Sequence, residues 1–296
     1  MNIEQITRQM ATCLPKNTIF HSSYFTPCPI DGMVQVTSLF DMIAETHYSI
    51  MGSWAPQNAE QKYKELYKAS RVIAISNSAA ADLIRFYPEC KDKVAVVQLG
   101  SEHLINTKHH LQHTILGEPF VLFVGHRDTY KNFATLLDAM TRTEWPTGVR
   151  LHVVGSPFAD HEKRLIRALQ LETRVIHLGR LSDDDLQFQY STAKCFVFPS
   201  LAEGFGLPIL ESQINGCTVA CSDIAVFHEV ADDAAVYFDP RLGESIAHAI
   251  RKICHANVAD QLVPTGKANA ERFSWDRAAE QTIEIYRSVA NAACNL

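Results

Sequence analysis

Glu203-Gly204-Phe205-Gly206-Leu207-Pro208-Ile209-Leu210-Glu211 is the stretch that decides how this chain is read. It sets one carboxylate just before a helix and a second within the first turn. Pro208 suits the first helical position, where its missing N–H has no intrahelical partner to lose. The free amides at such a helix end form an anion site. The two glycines let the backbone approach a ligand closely. Two carboxylates beside an anion site do not suit a bare phosphate. They suit a ligand carrying both a diphosphate and hydroxyl groups, as a nucleotide sugar does.

Working outward, Cys195–Phe198 reads as a strand that ends at Pro199, and Gly216 stops the helix that follows. The same alternation recurs on both sides. Phe120–Val124, Leu151–Val154, Val175–Leu178, Thr218–Cys221 and Ala235–Phe238 read as strands. Phe133, Leu136, Leu137 and Met140 recur at helical spacing, as do Leu165, Ile166 and Leu169. Ser182 caps a helix whose first turn holds Asp183, Asp184 and Asp185. Capping explains these acids better than a metal-binding D-x-D does. Repeated strand–helix alternation implies a parallel, doubly wound sheet. Ligands on such sheets sit at the carboxyl ends of the strands. Arg127, Lys131 and Glu203 all lie just past strand ends, so they are expected to share one rim.

The earlier part reads similarly but is shorter. Ile3, Ile6 and Met10 mark a helix, and Thr18–His21, Val34–Leu39, Arg71–Ile75 and Lys93–Gln98 mark strands. The polar segment 100–117 has no period and reads as a linker, with the boundary near residue 115. Trp275–Val289 reads as a terminal helix with Ala279, Ile283 and Tyr286 on one face. The expected architecture is α/β, with two Rossmann-like domains at 1–115 and 116–272 and a last helix at 273–296 that crosses back to the first domain.

Bulk properties narrow the function. With 296 residues the chain is long enough for two α/β domains. Its formal net charge of −6 argues against a general nucleic-acid binder. The eight cysteines form no C-x-x-C and several sit in apolar strands, so they read as free thiols in a reducing cytosol. No signal peptide and no run of membrane-spanning length is evident. His109, His110 and His113 read as solvated linker rather than metal ligands. Lys62, Lys64, Lys68 and Arg71 read as a solvated helix face, the alternative being contact with anionic lipid at the inner membrane surface. No G-x-G-x-x-G, P-loop or G-x-S-x-G occurs, so dehydrogenase, NTPase and hydrolase readings lack their motifs.

Gly125-His126-Arg127-Asp128-Thr129-Tyr130-Lys131-Asn132 follows a strand and precedes a helix. Its glycine permits a tight turn, and Arg127 and Lys131 supply two cations suited to a diphosphate. Together with the Glu203–Glu211 segment, this run resembles the retaining nucleotide-sugar glycosyltransferases of family 4, also called group 1, with GT-B architecture. The E-x7-E spacing is met by Glu203 and Glu211. Ser222-Asp223-Ile224, the run 234–240 and Phe273-Ser274-Trp275 agree as well. The resemblance spans about residues 17–290.

The resemblance implies roles. Glu203, Arg127 and Lys131 are the catalytic candidates. Arg127 and Lys131 would hold and neutralise the departing diphosphate, and Glu203 would face the transferred sugar. Gly125, the amides of Phe205, Gly206 and Leu207, and Glu211 on the ribose would complete the donor pocket, with no metal and no cofactor. The first half departs from the pattern. It is short by about two βα units, on the order of 60–90 residues. Phe40-Asp41 stands where a His-Asp pair is usual, leaving Asp41 and His21 as candidate contacts from the first domain. The expected activity is transfer of a hexose, mannose by the wording of the motifs, to a glycan or lipid-linked saccharide. The competing readings are a nucleotide-sugar-binding scaffold needing a partner chain for the missing strands, and an epimerase or phosphorylase on the same architecture.

Overall fold

The computed structural model describes residues 14, 18–28, 30, 32–51, 54–101, 118–127, 129–255 and 258–294. The helix expected around Ile3–Met10, nearly all of the 100–117 segment and its three histidines lie outside them. The chain forms two compact units, Met1–Gly100 with Trp275–Leu296, and Ser101–Ser274.

The first unit is a parallel sheet of β1 (Ile19–Ser22), β2 (Val34–Leu39), β3 (Arg71–Ala74) and β4 (Val94–Val96), hydrogen-bonded in that order. Between β2 and β3 run two single-turn helices and then α1 (Trp54–Lys68). Between β3 and β4 runs α2 (Asn77–Phe86), capped by Ser76 Oγ, which accepts from the Ala79 amide at 2.9 Å. Side chains alternate across each strand. Leu39, Val72 and Ala74 pack with Leu66 and Leu83 on one face. Val36 and Ile73 pack with Ala278 and Val289 of the last helix, Trp275–Cys294, on the other. His21 ties these parts together. Its Nδ1 lies 2.5 Å from the Tyr286 hydroxyl and its Nε2 lies 2.9 Å from Ser38 Oγ. Lys62 corrects one expectation. It is buried, donating to Glu45 at 2.8 Å and to the Asp41 carbonyl at 3.1 Å, whereas Lys64 stays exposed and pairs with Glu60. Both lie on α1, but a helix turn of about 100° per residue sends side chains two apart to different faces.

The second unit holds β5 (Phe120–Val124), β6 (Arg150–Val154), β7 (Val175–Gly179), β8 (Cys195–Phe198), β9 (Val219–Ser222) and β10 (Val236–Phe238). Its helices are α3 (Phe133–Ala139), α4 (Asp160–Ala168), α5 (Asp183–Thr192), α6 (Leu207–Ile214), α7 (Ala225–Ala231), α8 (Gly243–Cys254) and α9 (Val258–Ala270). The strand order is β10-β9-β8-β5-β6-β7, all parallel. Strands buried on both faces need apolar side chains in unbroken runs, which Phe120–Val124 and Cys195–Phe198 provide. Val121, Phe123, Cys195 and Val197 meet Leu136, Leu137, Ile246 and Ile250. On the opposite face Phe196 packs against Tyr190 and Phe198 against Phe227. Among the described residues the first unit has four strands and the second six, and both are Rossmann-like domains of the kind found in the GT-B fold.

Strand order fixes where a ligand fits. The chain builds outward from β5 to β7, returns to place β8 on the other side of β5, and builds outward again to β10. Crossovers keep one hand, so the connections after β5 and β8 go to opposite faces of the sheet. Their loops part there and leave a crevice at the carboxyl ends. Glycines at the ends of β5, β6 and β7 let the strands run close together. The Gly125 amide donates to the Val154 carbonyl at 3.0 Å and the Gly155 amide to Gly179 at 2.9 Å. Gly155 has φ +145°, and a Cβ there would stand 2.5 Å from the Gly125 carbonyl oxygen.

Two outcomes follow from this geometry. Gly155→Ala meets both a backbone clash and an unfavourable φ, so it should cost roughly 2–4 kcal/mol. Gly148→Ala, at φ +76° with nothing within 4 Å, meets only the φ penalty and should cost about 1 kcal/mol. Urea unfolding of both variants checks this, and equal costs would contradict the close-approach argument. The second outcome concerns pH. Burial lowers the pKa of His21 below its ordinary 6.5, and that of His152 likewise. The folded state therefore binds fewer protons than the unfolded chain. The stability is present above the unfolded pKa and is lost as pH falls through the folded pKa. Denaturation midpoints should fall between about pH 7.5 and pH 5, and His21→Asn should flatten part of that slope. An unchanged slope in the variant would contradict the assignment.

Candidate functional site

The crevice is built from the loop after β5, Gly125–Asn132, and the loop after β8, Pro199–Gly206. A single-turn helix at Thr129–Lys131 ends the first loop. The Leu201 amide donates to the Tyr130 carbonyl at 2.7 Å and joins the two directly. Asn132 adds a second fastening. It sits at φ +59° and its Nδ2 donates to the carbonyls of Pro199 at 3.0 Å and Pro240 at 2.6 Å. Thr135 Oγ1 donates to Asn132 Oδ1 at 2.6 Å. An asparagine before a helix reads from sequence as an N-cap. Here the side chain makes no cap bond and instead laces three loops together, a role that sequence reasoning missed.

Lys131 and Glu203 meet in this frame. Lys131 Nζ lies 2.6 Å from Glu203 Oε1, with the side chains 18% and 11% exposed. Ser200 Oγ donates to the same oxygen at 2.7 Å. No described residue hydrogen-bonds Oε2. The Lys131 ammonium also stands over the rings of Tyr130 and Phe198, at 5.2 and 5.4 Å from their centroids.

The next helix, α6, begins at Leu207, with Gly206 as N-cap at φ +114°. Pro208 is thus the second helical residue rather than the first, and Glu211 opens the second turn rather than lying in the first. The reason is Gly206, whose left-handed conformation lets the helix start one residue early. A Cβ on Gly206 would stand 3.2 Å from the Phe227 ring, so the loop passes close over the core. Phe205 is buried, its ring edge-on to Phe273 at 5.8 Å. Among the described residues, no acceptor takes the amides of Phe205, Gly206 or Leu207. Glu211 Oε2 accepts from the Tyr190 hydroxyl at 3.1 Å. Tyr190 is fully buried, and desolvation together with the neighbouring carboxylate pushes its pKa well above the ordinary value. It remains a proton donor and steadies Glu211. Sequence reasoning missed Tyr190.

Arg127 has a different set of partners. Its side chain is only 5% exposed, and Nε donates to Glu162 Oε1 at 2.6 Å. Nη2 donates to the carbonyls of Ser156 and Pro157 at 2.7 and 2.9 Å. The guanidinium stands over the mutually stacked rings of Phe133 and Phe158, 5.6 and 4.9 Å from their centroids. Nη1 is buried and has no hydrogen-bond partner among the described residues. Glu162 also accepts from the Ala159 amide at 2.6 Å, which fixes the start of α4. Arg127 thereby anchors the β5 loop to the segment after β6. A cavity of about 390 Å³ adjoins it, lined by Arg127, Thr129, Asn132, Phe133, Glu162 and Leu201 among others.

The remaining candidates belong to the first unit. His21 ends with both ring nitrogens engaged, by Tyr286 and Ser38. Asp41 Oδ1 accepts from the Ile43 amide at 3.0 Å and lies 3.9 Å from Lys62. Ser182 caps α5 by accepting from the Asp185 amide at 3.2 Å. Among the described residues, no group of three or more His, Cys, Asp or Glu side chains is placed to hold a metal ion. No described helix is long and apolar enough to cross a membrane. Burial raises the thiol pKa values of Cys195, Cys217 and Cys221, with Cys217 pushed up to about 12, so these thiols are poor nucleophiles.

The chain is similar to several known proteins. The chain is 27% identical over 237 residues to the O-antigen chain mannosyltransferase B of Escherichia coli, covering 76% of this chain and 62% of that protein. It is 28% identical over 242 residues to the serotype-specific mannosyltransferase WbdA of Escherichia coli, covering 75% of this chain and 29% of that one. Among solved structures it resembles a sucrose-phosphate synthase from Thermosynechococcus elongatus, with a TM-score of 0.76 at 22% identity, over 93% of this chain and 74% of the other. The match to mannosyltransferase B thus spans less than two thirds of that relative's length. The family model described as glycosyl transferases group 1 matches residues 106–269, more than half of the sequence, and the chain belongs to that family.

Proposed function

We propose that the chain transfers a hexose, mannose in the first instance, from a nucleotide-diphosphate sugar to a glycan or lipid-linked saccharide, with retention at the anomeric carbon and without a metal. The observation that carries the reading is the Lys131–Glu203 pair at the point where strand order reverses, beside the unoccupied amides at the start of α6. The names of the two mannosyltransferase relatives support the sugar assigned.

In this reading the donor's diphosphate draws the Lys131 ammonium from Glu203 and lies against the amides of Phe205, Gly206 and Leu207. These donors are held in place beforehand, so charge developing on the leaving diphosphate is stabilised without reorganisation. Glu203, still held by Ser200, accepts from a sugar hydroxyl and steadies positive charge at the anomeric carbon. Glu211, held by Tyr190, accepts from the ribose hydroxyls. Gly125 permits the backbone to pass close to the phosphates. Arg127 serves by anchoring the loop that carries Lys131, since Glu162 and two carbonyls already occupy most of its donors. Retention follows from attack on the face that the leaving group vacates. A second reading, a nucleotide-sugar-binding subunit completed by another chain, is favoured by the smaller sheet of the first unit, four strands against six among the described residues.

Titration with a panel of nucleotide sugars, followed by assay of sugar release and transfer, distinguishes the two. Lys131→Ala should weaken nucleotide-sugar binding about 10–100-fold. Glu203→Gln should retain binding and lower turnover at least ~100-fold. Tight binding without turnover in the unmodified chain would favour the binding-subunit reading, and no binding of any nucleotide sugar would overturn both.

A further inference from the structure

His177 lies in β7, where the pairing with β6 slips. Val153 pairs with His177 but Val154 pairs with Gly179, so Leu178 is an extra residue on β7. Such a bulge re-aims the side chains beside it and is common next to functional sites. Gly179, at φ +74°, ends the bulge, and its carbonyl accepts from the Gly155 amide at 2.9 Å. The half-buried His177 ring reaches the segment after β6. Its Nε2 lies 3.1 Å from the Gly155 carbonyl oxygen and 3.0 Å from that of Ser156. Carbonyl oxygens only accept, so Nε2 carries the proton and donates. The ring also packs on Phe158, with 4.9 Å between centroids. Ser156 is the junction. Its carbonyl accepts both from His177 Nε2 and, at 2.7 Å, from Arg127 Nη2. A carbonyl oxygen has two lone pairs, and here both are engaged.

We propose that His177 is a positioning residue for the donor diphosphate, acting through Ser156 and Arg127 on Lys131. The proposal rests on the sugar-transfer reading above and adds a residue to it. Arg127 holds the β5 loop only as firmly as the carbonyls it grips are themselves held. Those carbonyls belong to Ser156 and Pro157, and the Pro157 nitrogen has no hydrogen with which to tie the segment down. His177 supplies a fastening from a neighbouring strand, and a strand places a side chain more exactly than a loop does. Lys131 follows Arg127 by one short stretch of backbone, in which the Tyr130 carbonyl accepts from the Leu201 amide. Slack at Ser156 therefore reaches the Lys131 ammonium. A displacement of about 1 Å at such a contact is enough to cost a site much of its effect. A hydrocarbon ring at position 177 would fill the same space beside Phe158 and yet take one donor from each of two carbonyls.

The test uses the full chain with His177→Phe and His177→Gln. Phenylalanine keeps the ring against Phe158 and removes the donor, whereas glutamine keeps a donor of similar reach. His177→Leu is a second variant without the donor and should behave as His177→Phe does. Hydrogen exchange of the Leu201 amide needs no ligand, and it reports on the Tyr130 carbonyl from a loop that His177 does not touch. Exchange should quicken about tenfold in His177→Phe and less than about threefold in His177→Gln. Calorimetry with GDP and with guanosine gives the second readout. His177→Phe should weaken GDP about five- to tenfold, the worth of one net hydrogen bond, and leave guanosine unchanged. His177→Gln should restore most of the GDP affinity. Unchanged Leu201 exchange in His177→Phe would overturn the proposal, and so would unchanged GDP affinity in a chain that binds GDP. Equal losses in the phenylalanine and glutamine variants would overturn it too, because they would mark a role in packing alone. Guanosine weakened as much as GDP would do the same, since Lys131 would not be the group affected. If the unmodified chain binds no nucleotide while the exchange difference persists, the fastening stands and the donor reading falls.

Discussion

The contact on which the site depends is the ion pair between Lys131 and Glu203, made across 72 residues of sequence. A parallel sheet can bring these residues together only if their two strands are neighbours. β5 and β8 are neighbours because the chain returns to the centre after β7. An ion pair this shielded would be costly to leave half-made, because one buried charge without its partner is strongly destabilising. The loops are accordingly fixed by neutral bonds as well. The Leu201 amide on the Tyr130 carbonyl and the Asn132 side chain on two further carbonyls hold both partners before any ligand arrives. Preorganisation of this kind distinguishes a site from a chance surface pairing.

Two arginine–carboxylate and lysine–carboxylate pairs stand near each other in sequence but differ in what they offer. Arg127 is bound to Glu162 and to two carbonyls and stands over two aromatic rings, so it fastens the loop to the segment after β6. Lys131 has one carboxylate and two ring faces, and a flexible stem that lets its ammonium turn to another anion. The planar guanidinium suits the fixed role and the lysine suits the exchangeable one. Tyr190 and Ser200 complete the arrangement by orienting Glu211 and Glu203 with neutral hydroxyls.

Much of this was legible in the sequence. The strands of the second unit stand out because burial on both faces demands unbroken apolar runs, and Phe120–Val124 and Cys195–Phe198 are read to the residue. The meeting of the two loops follows from the same alternation. What escaped reading depends on tertiary approach. Helix α9 contains Pro264 and Gly266, both of which read as helix breakers. Its glycine lets the backbone come close to Gln213, where a Cβ would stand 3.0 Å from Cγ, and Asn269 bonds the same side chain at 2.8 Å. Packing against α6 thus outweighs local propensity. The inward turn of Arg127 was hidden for a related reason. Its partner Glu162 lies one crossover away, and nothing in the β5 loop itself distinguishes a guanidinium facing a ligand from one facing the interior. Lys62 is the same case in the first unit.

The most direct measurement is a crystal structure of the chain with bound GDP. The account predicts the diphosphate between Lys131 Nζ and the amides of Phe205, Gly206 and Leu207, with the Lys131–Glu203 contact lengthened and the ribose at Glu211. A diphosphate bound elsewhere on the chain, with Lys131 still closed on Glu203, would contradict it.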